Sequence, residues 1–188
     1  SDYRKVIAMP ANKFNEKALV ELARIYYSME LLDSAAATYV QLLKTAERTT
    51  NFNLAQKALM EIYFEQENYQ AASQYAQSLL NGPLLPLELW QKAQLTLAKT
   101  HFEKSEYDSA LIYLDTLSVL KTEYGAEAKY LLAKKFYLQG DYAKSDTLIY
   151  RLVDQVPSYP YWIAKGFILL ADNFVAKEDL YNARITFQ

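Results

Sequence analysis

Apolar residues recur along the chain at helical spacing, in one phrase that is repeated five times. The phrase is Leu, a small residue (Met60 in the second copy), two variable residues and a ring, with a second small residue nine positions after the ring. The copies begin at Leu22, Leu59, Leu97, Leu132 and Leu170, in steps of 37, 38, 35 and 38 residues. Apolar residues three and four positions apart share one helix face. The phrase therefore predicts a half-buried helix, five times over.

Each of these helices is followed, after a short polar turn, by a second helix with its own apolar face. Short turns place consecutive helices antiparallel. Between pairs, Gly82 is able to take a left-handed helix cap and the residues around Pro157 and Pro160 break the chain. The predicted pairs are 12–29 with 32–46, 52–66 with 69–80, 87–104 with 107–120, 125–139 with 142–155, and 160–176 with 179 onward.

A fixed period of this length is typical of a helical solenoid, in which each helix pair buries its apolar face against its neighbours. We predict one continuous domain over 12–188, with residues 1–11 as an extension or the end of a preceding repeat. The last repeat stops early in its second helix, and the chain begins at Ser1, so we expect a piece of a longer array; the alternative is a short protein that pairs with another copy. The predicted repeats span 12–48, 50–82, 86–121, 123–157 and 159–188.

The phrase resembles the tetratricopeptide repeat (TPR), whose pattern combines Leu, small and aromatic positions with Ala-x3-aromatic. The second element is present at Ala35 with Tyr39 and at Ala183 with Phe187. The Trp position of the family is not filled by Trp, and the period is longer than usual. The resemblance implies an all-α, right-handed α-α superhelix of about five antiparallel helix pairs. It also implies that the first helix of each pair lines a concave groove.

Composition narrows the class of partner. The net charge is −2, with both signs interspersed, so nothing in the charge favours nucleic acid or an anionic membrane. Single-stranded RNA binding, which some helical repeats perform, is disfavoured for want of a basic stripe. The chain has no Cys, which fits either redox compartment, and no apolar run long enough to span a membrane.

A search for catalytic chemistry finds almost nothing. Four Gly leave no phosphate-binding loop, and a single His with no Cys leaves no ordinary zinc site. His101 occupies the ring position of its repeat, so we interpret it as a packing residue. The sequence therefore predicts no catalytic residues, no cofactor, no metal and no enzymatic activity.

A second set of side chains lies on the first helix of each pair, beside the packing ring. Following the resemblance, we predict that it faces the groove and binds a partner; the alternative is that its rings only seal adjacent repeats. A carboxylate clamp of the chaperone-binding type is disfavoured, because an acidic residue stands between two basic ones. The predicted groove residues are Arg24, Tyr27, Glu61, Phe64, Lys99, Phe102, Tyr130, Lys134 and Tyr137.

These observations predict a non-catalytic scaffold that binds a protein or peptide on its concave face, for the assembly of a protein complex. The alternative is a structural spacer that self-associates through uncapped ends. The repeats are Tyr-rich and long in period, which is similar to bacterial cell-envelope proteins of this family. The periplasm or cell envelope is therefore favoured over the cytoplasm.

Overall fold

A computed structural model describes residue 5, residues 14–82 and residues 85–186. These ranges contain ten helices joined by short turns, close to the predicted pairs. The predicted extension at 1–11, the first positions of the first helix, Pro83 and Phe187 lie outside the described residues, apart from Lys5. The helices are α1 (Asn15–Ser28), α2 (Leu32–Thr45), α3 (Thr49–Glu65), α4 (Tyr69–Leu80), α5 (Leu87–Glu103), α6 (Tyr107–Ser118), α7 (Glu123–Leu138), α8 (Tyr142–Val153), α9 (Pro160–Ala176) and α10 (Leu180–Thr186).

The chain divides into two compact units, and the division falls inside α5 between Thr100 and His101. In the first unit α1 packs on α2 and α3, α2 packs on α3, and α3 packs on α4. In the second unit α6, α7, α8, α9 and α10 pack in succession, and α7 also contacts α9. Within each unit the helices thus contact their sequence neighbours or next neighbours, as expected of a repeat array. A single domain over 12–188 stays a prediction.

Each pair turns through the same hydrogen-bonded motif. The residue after the helix cap has a positive φ, between 57° and 76°, in all five turns. The next N–H donates back to the carbonyl of the ring position, for example from Asn68 to Tyr63 at 2.8 Å and from Asp141 to Phe136 at 2.9 Å. This is a Schellman motif, which satisfies helix-end carbonyls. The left-handed residues are Glu30, Glu67, Ser105, Gly140 and Glu178.

Gly82 does not take the left-handed conformation that its identity allows; in the described residues Gly140 is the glycine with positive φ. The Gly82 N–H donates to the Leu79 carbonyl at 3.0 Å, which closes α4 with a tighter turn. The left-handed cap is thus set by the turn within each pair, where most repeats carry Glu or Ser.

Asn and Asp side chains begin three of the second helices. Asn68, Asp141 and Asp179 each accept a hydrogen bond from the N–H three residues later, at 3.2, 3.2 and 3.1 Å. This satisfies one of the N–H groups that a helix start leaves without a partner. The cap fixes where each second helix begins relative to the turn before it.

Small residues lie where helices cross most closely. Four positions before the Leu of each phrase, the first helix carries a buried Ala or Gly. The second small residue of the phrase, on the second helix, is also buried. At Gly166 a Cβ would lie 3.3 Å from Ile149 Cγ2, so α8 and α9 approach closely there. The larger residues beside these positions then interlock at the density of a protein interior. The buried positions are Ala18, Ala55, Ala93, Ala128, Gly166, Ala35, Ala72, Ala110, Ser145 and Ala183.

Candidate functional site

We call the first helix of each pair (α1, α3, α5, α7 and α9) its A helix. Three positions on each A helix together form what we call the A face. The A-face ring position, which directly follows the packing ring of each repeat, holds Tyr27, Phe64, Phe102, Tyr137 and Val175. The charge position, three residues earlier, holds Arg24, Glu61, Lys99, Lys134 and Asp172. The outer position, seven residues before the ring, holds Val20, Lys57, Leu95, Tyr130 and Ile168.

Rings of the A face pack against the Tyr that begins the second helix of the same pair. Phe64 meets Tyr69 edge-on with centroids 5.5 Å apart, and Phe102 meets Tyr107 edge-on at 4.9 Å. Tyr137 is tilted against Tyr142 at 5.9 Å. Phe102 is 8% exposed, so it supports the surface from beneath and offers little area to a partner.

Two of the predicted lysines lie over the ring of the preceding A helix. The Lys99 ammonium is 5.3 Å from the Phe64 centroid, and the Lys134 ammonium is 5.6 Å from the Phe102 centroid. A cation over a ring face is held by the ring quadrupole. The contacts link successive repeats, so at these two positions the rings do seal repeats, as the alternative interpretation expected.

The other predicted residues of the first unit have partners outside the predicted set. Arg24 forms an ion pair with Glu21 at 3.3 Å, and Glu61 forms one with Lys92. The Tyr27 hydroxyl donates to Glu65 Oε1 at 2.6 Å. That hydrogen bond, with partial burial, raises the pKa of Tyr27 to about 12. The Tyr27 phenol thus stays neutral at physiological pH.

In the second unit the A faces of α7 and α9 border a cleft of about 280 Å³. Three predicted groove residues line it: Tyr130, Lys134 and Tyr137. They are joined by Ile168 and Asp172, at the same positions of the next A helix. The remaining lining residues, which were not predicted from the sequence, are Leu138, Lys165 and Leu169.

Lys165 is the most enclosed cation of this cleft. Its ammonium is 5.6 Å from the centroid of Tyr130, 5.0 Å from Tyr161 and 5.3 Å from Trp162. A hydrogen bond with the Tyr161 hydroxyl is the main reason that the pKa of Lys165 is raised above its usual value. Lys165 is therefore a full positive charge held against aromatic rings.

A set of buried polar contacts between repeats was missed from the sequence. The position just before the packing ring holds Thr100, Lys135 and Asn173, all buried. Thr100 accepts from Ser73 at 3.0 Å, Lys135 pairs with Asp108 at 3.3 Å, and Asn173 donates to Asp146 at 2.7 Å. Each contact joins an A helix to the second helix of the preceding pair. The same position holds the buried Ile62 in α3, which was the available signal that this position faces inward.

His101 behaves as a packing residue. Its ring is stacked on Tyr113 with centroids 5.8 Å apart, and its Nδ1 lies 2.7 Å from Glu106 Oε2. Over the ranges that the structure describes, no three His, Asp or Glu side chains are grouped so as to hold a metal ion. In the same ranges, no helix has the length and apolar character needed to cross a membrane.

Comparisons with known proteins establish the fold. No protein-family model and no curated protein matches the chain. The crystal structure of BtubC (BKLC) from P. vanneervenii is 16% identical, with a TM-score of 0.72 over 98% of this chain and 82% of that one. The crystal structure of nearly identical TPR-like repeats, from a Podosopora anserina protein described as a kinesin light chain, is 14% identical, with a TM-score of 0.70 over 94% of each chain. The chain therefore has the all-α, TPR-like helical-repeat fold that its sequence predicted.

Proposed function

We propose that the chain is a non-catalytic scaffold that binds a protein or peptide segment on its A face and so helps to assemble a protein complex. Helical repeats of this kind generally serve as protein-interaction scaffolds. The observation that carries the proposal is the cleft between α7 and α9, where A-face residues of two successive repeats combine rings, an aliphatic side chain and charges of both signs.

Such a surface is suited to a peptide. Aromatic and aliphatic side chains supply buried area, and a few charges fix the register of the bound segment. In the first unit, Tyr27 and Arg24 of the A face of α1 are exposed. Phe64 and Phe102 contribute by holding Lys99 and Lys134 in place rather than by direct contact.

The test compares two substitutions of exposed isoleucines. Ile168→Glu places a charge in the cleft, whereas Ile112→Glu places the same charge on the exposed side of α6. The immobilised protein and both variants are incubated with extract of the native source, and bound proteins are identified by mass spectrometry. We expect the partners to be lost with Ile168→Glu and kept with Ile112→Glu. Equal recovery on all three would contradict binding at the A face.

Self-association is the second candidate, and one observation favours it. Ile168 and Val175 of α9 are 53% and 51% exposed, whereas at the same positions Val20, Leu95 and Phe102 are 8%, 5% and 8% exposed. α9 therefore exposes apolar side chains at positions where Val20, Leu95 and Phe102 are buried. Sedimentation equilibrium of the wild type and of Val175→Glu tests this candidate. A dimer that dissociates with Val175→Glu would support it, and a monomer throughout the concentration range would reject it.

We further propose that the scaffold acts in a bacterial periplasm or cell envelope. The support is the similarity of its Tyr-rich, long-period repeats to envelope proteins of the TPR class. Fractionation of the source cells with an antibody against the chain tests the location, and recovery with cytoplasmic markers would contradict it.

A further inference from the structure

We propose that the cleft between α7 and α9 recognises a protein segment in which an acidic side chain lies next to an aliphatic or aromatic one. This inference rests on the proposed function and adds the chemistry of the partner. It follows from the groups that surround the charged side chains of the cleft.

Other lysines of the second unit are neutralised within the chain. Lys135 pairs with Asp108 at 3.3 Å, Lys144 with Asp141 at 2.7 Å and Lys177 with Asp146 at 2.7 Å. The two cleft lysines are held mainly by rings: Lys134 lies over the Phe102 ring and Lys165 lies among three rings. Lys165 also has a hydrogen bond with the Tyr161 hydroxyl and a longer-range attraction to Glu127.

A ring face screens an ammonium group on one side and leaves its other N–H directions for an acceptor. A carboxylate is the acceptor that forms the strongest such bond, because both partners are charged. The rings also hold the lysines in place, which lowers the conformational entropy lost when a ligand binds. The pair Lys134 and Lys165 is therefore prepared to receive an anionic side chain.

The rest of the cleft is apolar. Tyr130, Tyr137, Ile168 and Leu169 line it, and Ile168 is largely exposed there. The volume of about 280 Å³ exceeds that of a single water, roughly 30 Å³ in the liquid, by enough to admit an apolar side chain with adjoining backbone. A ligand that fills the cleft thus needs an apolar group close to its carboxylate.

Asp172 limits the kind of anion that fits. It is the acidic residue among the described lining residues, and it would repel the repeated phosphates of a nucleic acid. A peptide satisfies it instead, because backbone N–H groups or a basic side chain can face it while the acidic residue meets the lysines. The charges on the two sides of the cleft therefore favour a peptide and orient it.

The test is a selection from a phage-displayed library of random peptides. Phage are selected on the wild-type chain and depleted on the Lys134→Gln/Lys165→Gln variant; Lys104→Gln/Lys121→Gln, at two exposed positions, is the charge-matched control. We expect selected peptides to carry Asp or Glu beside Leu, Ile or an aromatic residue. A synthetic peptide of that sequence should bind about tenfold more weakly after Glu→Gln, or to the cleft variant, and unchanged to the control. Binding should also weaken as salt is raised.

A third variant, Asp172→Asn, keeps the experiment informative even if the double variant misfolds. Removing the cleft carboxylate should strengthen binding of the acidic peptide, a gain that loss of structure cannot imitate. Selected peptides without acidic residues, or equal binding of the Glu and Gln peptides, would overturn this inference and leave peptide binding at the A face intact. Peptides that bind the wild type and Ile168→Glu equally would overturn both proposals.

Discussion

The position just before the packing ring is filled in opposite ways in the two units. In α3 it holds Ile62, which is fully buried in an apolar cluster with Ala36 and Tyr39. In α9 it holds Asn173, which is equally buried but donates to Ser145 Oγ at 2.9 Å and to Asp146 Oδ1 at 2.7 Å. In α3, α5, α7 and α9, each of which follows another helix pair, this side chain is buried whether or not it is apolar.

The two solutions contribute differently to stability. Ile62 acts through area removed from water, which is non-directional and is worth about 1.5–3 kcal/mol for a fully buried side chain. Asn173 acts through directional hydrogen bonds, and its Oδ1 is buried without a partner in the described part of the chain. A hydrogen bond contributes a net ~1 kcal/mol, but breaking one leaves a costly buried group. The polar contact thus adds little stability and strongly restricts which helix can pack there.

The largest expected effect comes from making the apolar position polar. Ile62→Asn loses the buried apolar area and brings an amide among the aliphatic and tyrosine side chains of that cluster, so we expect destabilisation by about 4 kcal/mol. Urea unfolding monitored by circular dichroism measures it. Ile25→Asn is the matched control, because Ile25 occupies the same position in α1 and is exposed. Similar losses for both variants would show that burial does not set the cost.

Removing the polar side chain should cost less. Asn173→Ala leaves the Ser145 hydroxyl and one Asp146 oxygen without their donor, and we expect a loss of about 2 kcal/mol. The same urea titration measures it. No change in the unfolding midpoint would mean that water replaces the amide and that the contact is not structural.

A double-mutant cycle tests whether Asn173 and Asp146 stabilise the protein as one connected network or independently. Asp146 also binds the Lys177 ammonium, at 2.7 Å, so Asn173 and Asp146 belong to one connected set. We expect the losses of Asn173→Ala and Asp146→Ala to be non-additive by about 1 kcal/mol, because residues that share partners couple. Additive losses would contradict a shared network, and the pair Asn173→Ala with Leu117→Val, which share no partner, serves as the additive control.

Helix pairing was predictable from the sequence because its signal is repeated. The same Leu, small and ring positions return in each first helix, so a copy with an ambiguous pattern can be assigned from the other four. Gly82 does not form the left-handed cap considered for it, because glycine permits that conformation but does not require it. The residues that do take it, such as Glu67, are chosen by their place in the turn, where the N–H of the next residue must reach the ring-position carbonyl.

The candidate site was only partly predictable. Tyr130, Lys134 and Tyr137 line one cleft, because one helix face carries all three, and their role in binding stays a prediction. The burial of Phe102 was not predicted, because it depends on the long side chain of Lys134, from the next repeat, which lies over the Phe102 ring. Lys165 was missed for the same reason: its contacts are with rings of two different A helices, which spacing along one helix cannot reveal.

Substitutions in the left-handed turn residues should change the free energy of unfolding less than those at the position before the packing ring. One turn of the first unit has Glu67 in the left-handed conformation, at φ 57°, whereas one turn of the second unit has Gly140 there, at φ 76°. Side chains with a Cβ disfavour this conformation and glycine does not. We therefore expect Glu67→Gly to raise the free energy of unfolding by about 0.5–1 kcal/mol. Gly140→Ala should lower it similarly, with no steric clash because no atom lies within 4 Å of the added Cβ. In thermal melts, a lower melting temperature for Glu67→Gly or a higher one for Gly140→Ala would contradict this interpretation of the turns.

The smallest expected effect concerns pH, and it contrasts the neutral cap Asn68 with the charged cap Asp141. Hydrogen bonds from the Lys144 side chain and backbone hold the pKa of Asp141 below its usual value of 3.8. A carboxyl whose pKa is lower in the folded state contributes stability that is present above its unfolded pKa and is lost as the pH falls through the folded value. Asp141→Asn keeps the cap and removes this contribution, so the difference in unfolding free energy between neutral pH and about pH 3 should shrink. Asn68→Asp should enlarge that difference, because it gives α4 the same titrating cap. Parallel pH profiles for the wild type and both variants would mean that the caps act through hydrogen bonding alone, and that charge at this position is incidental to the second unit.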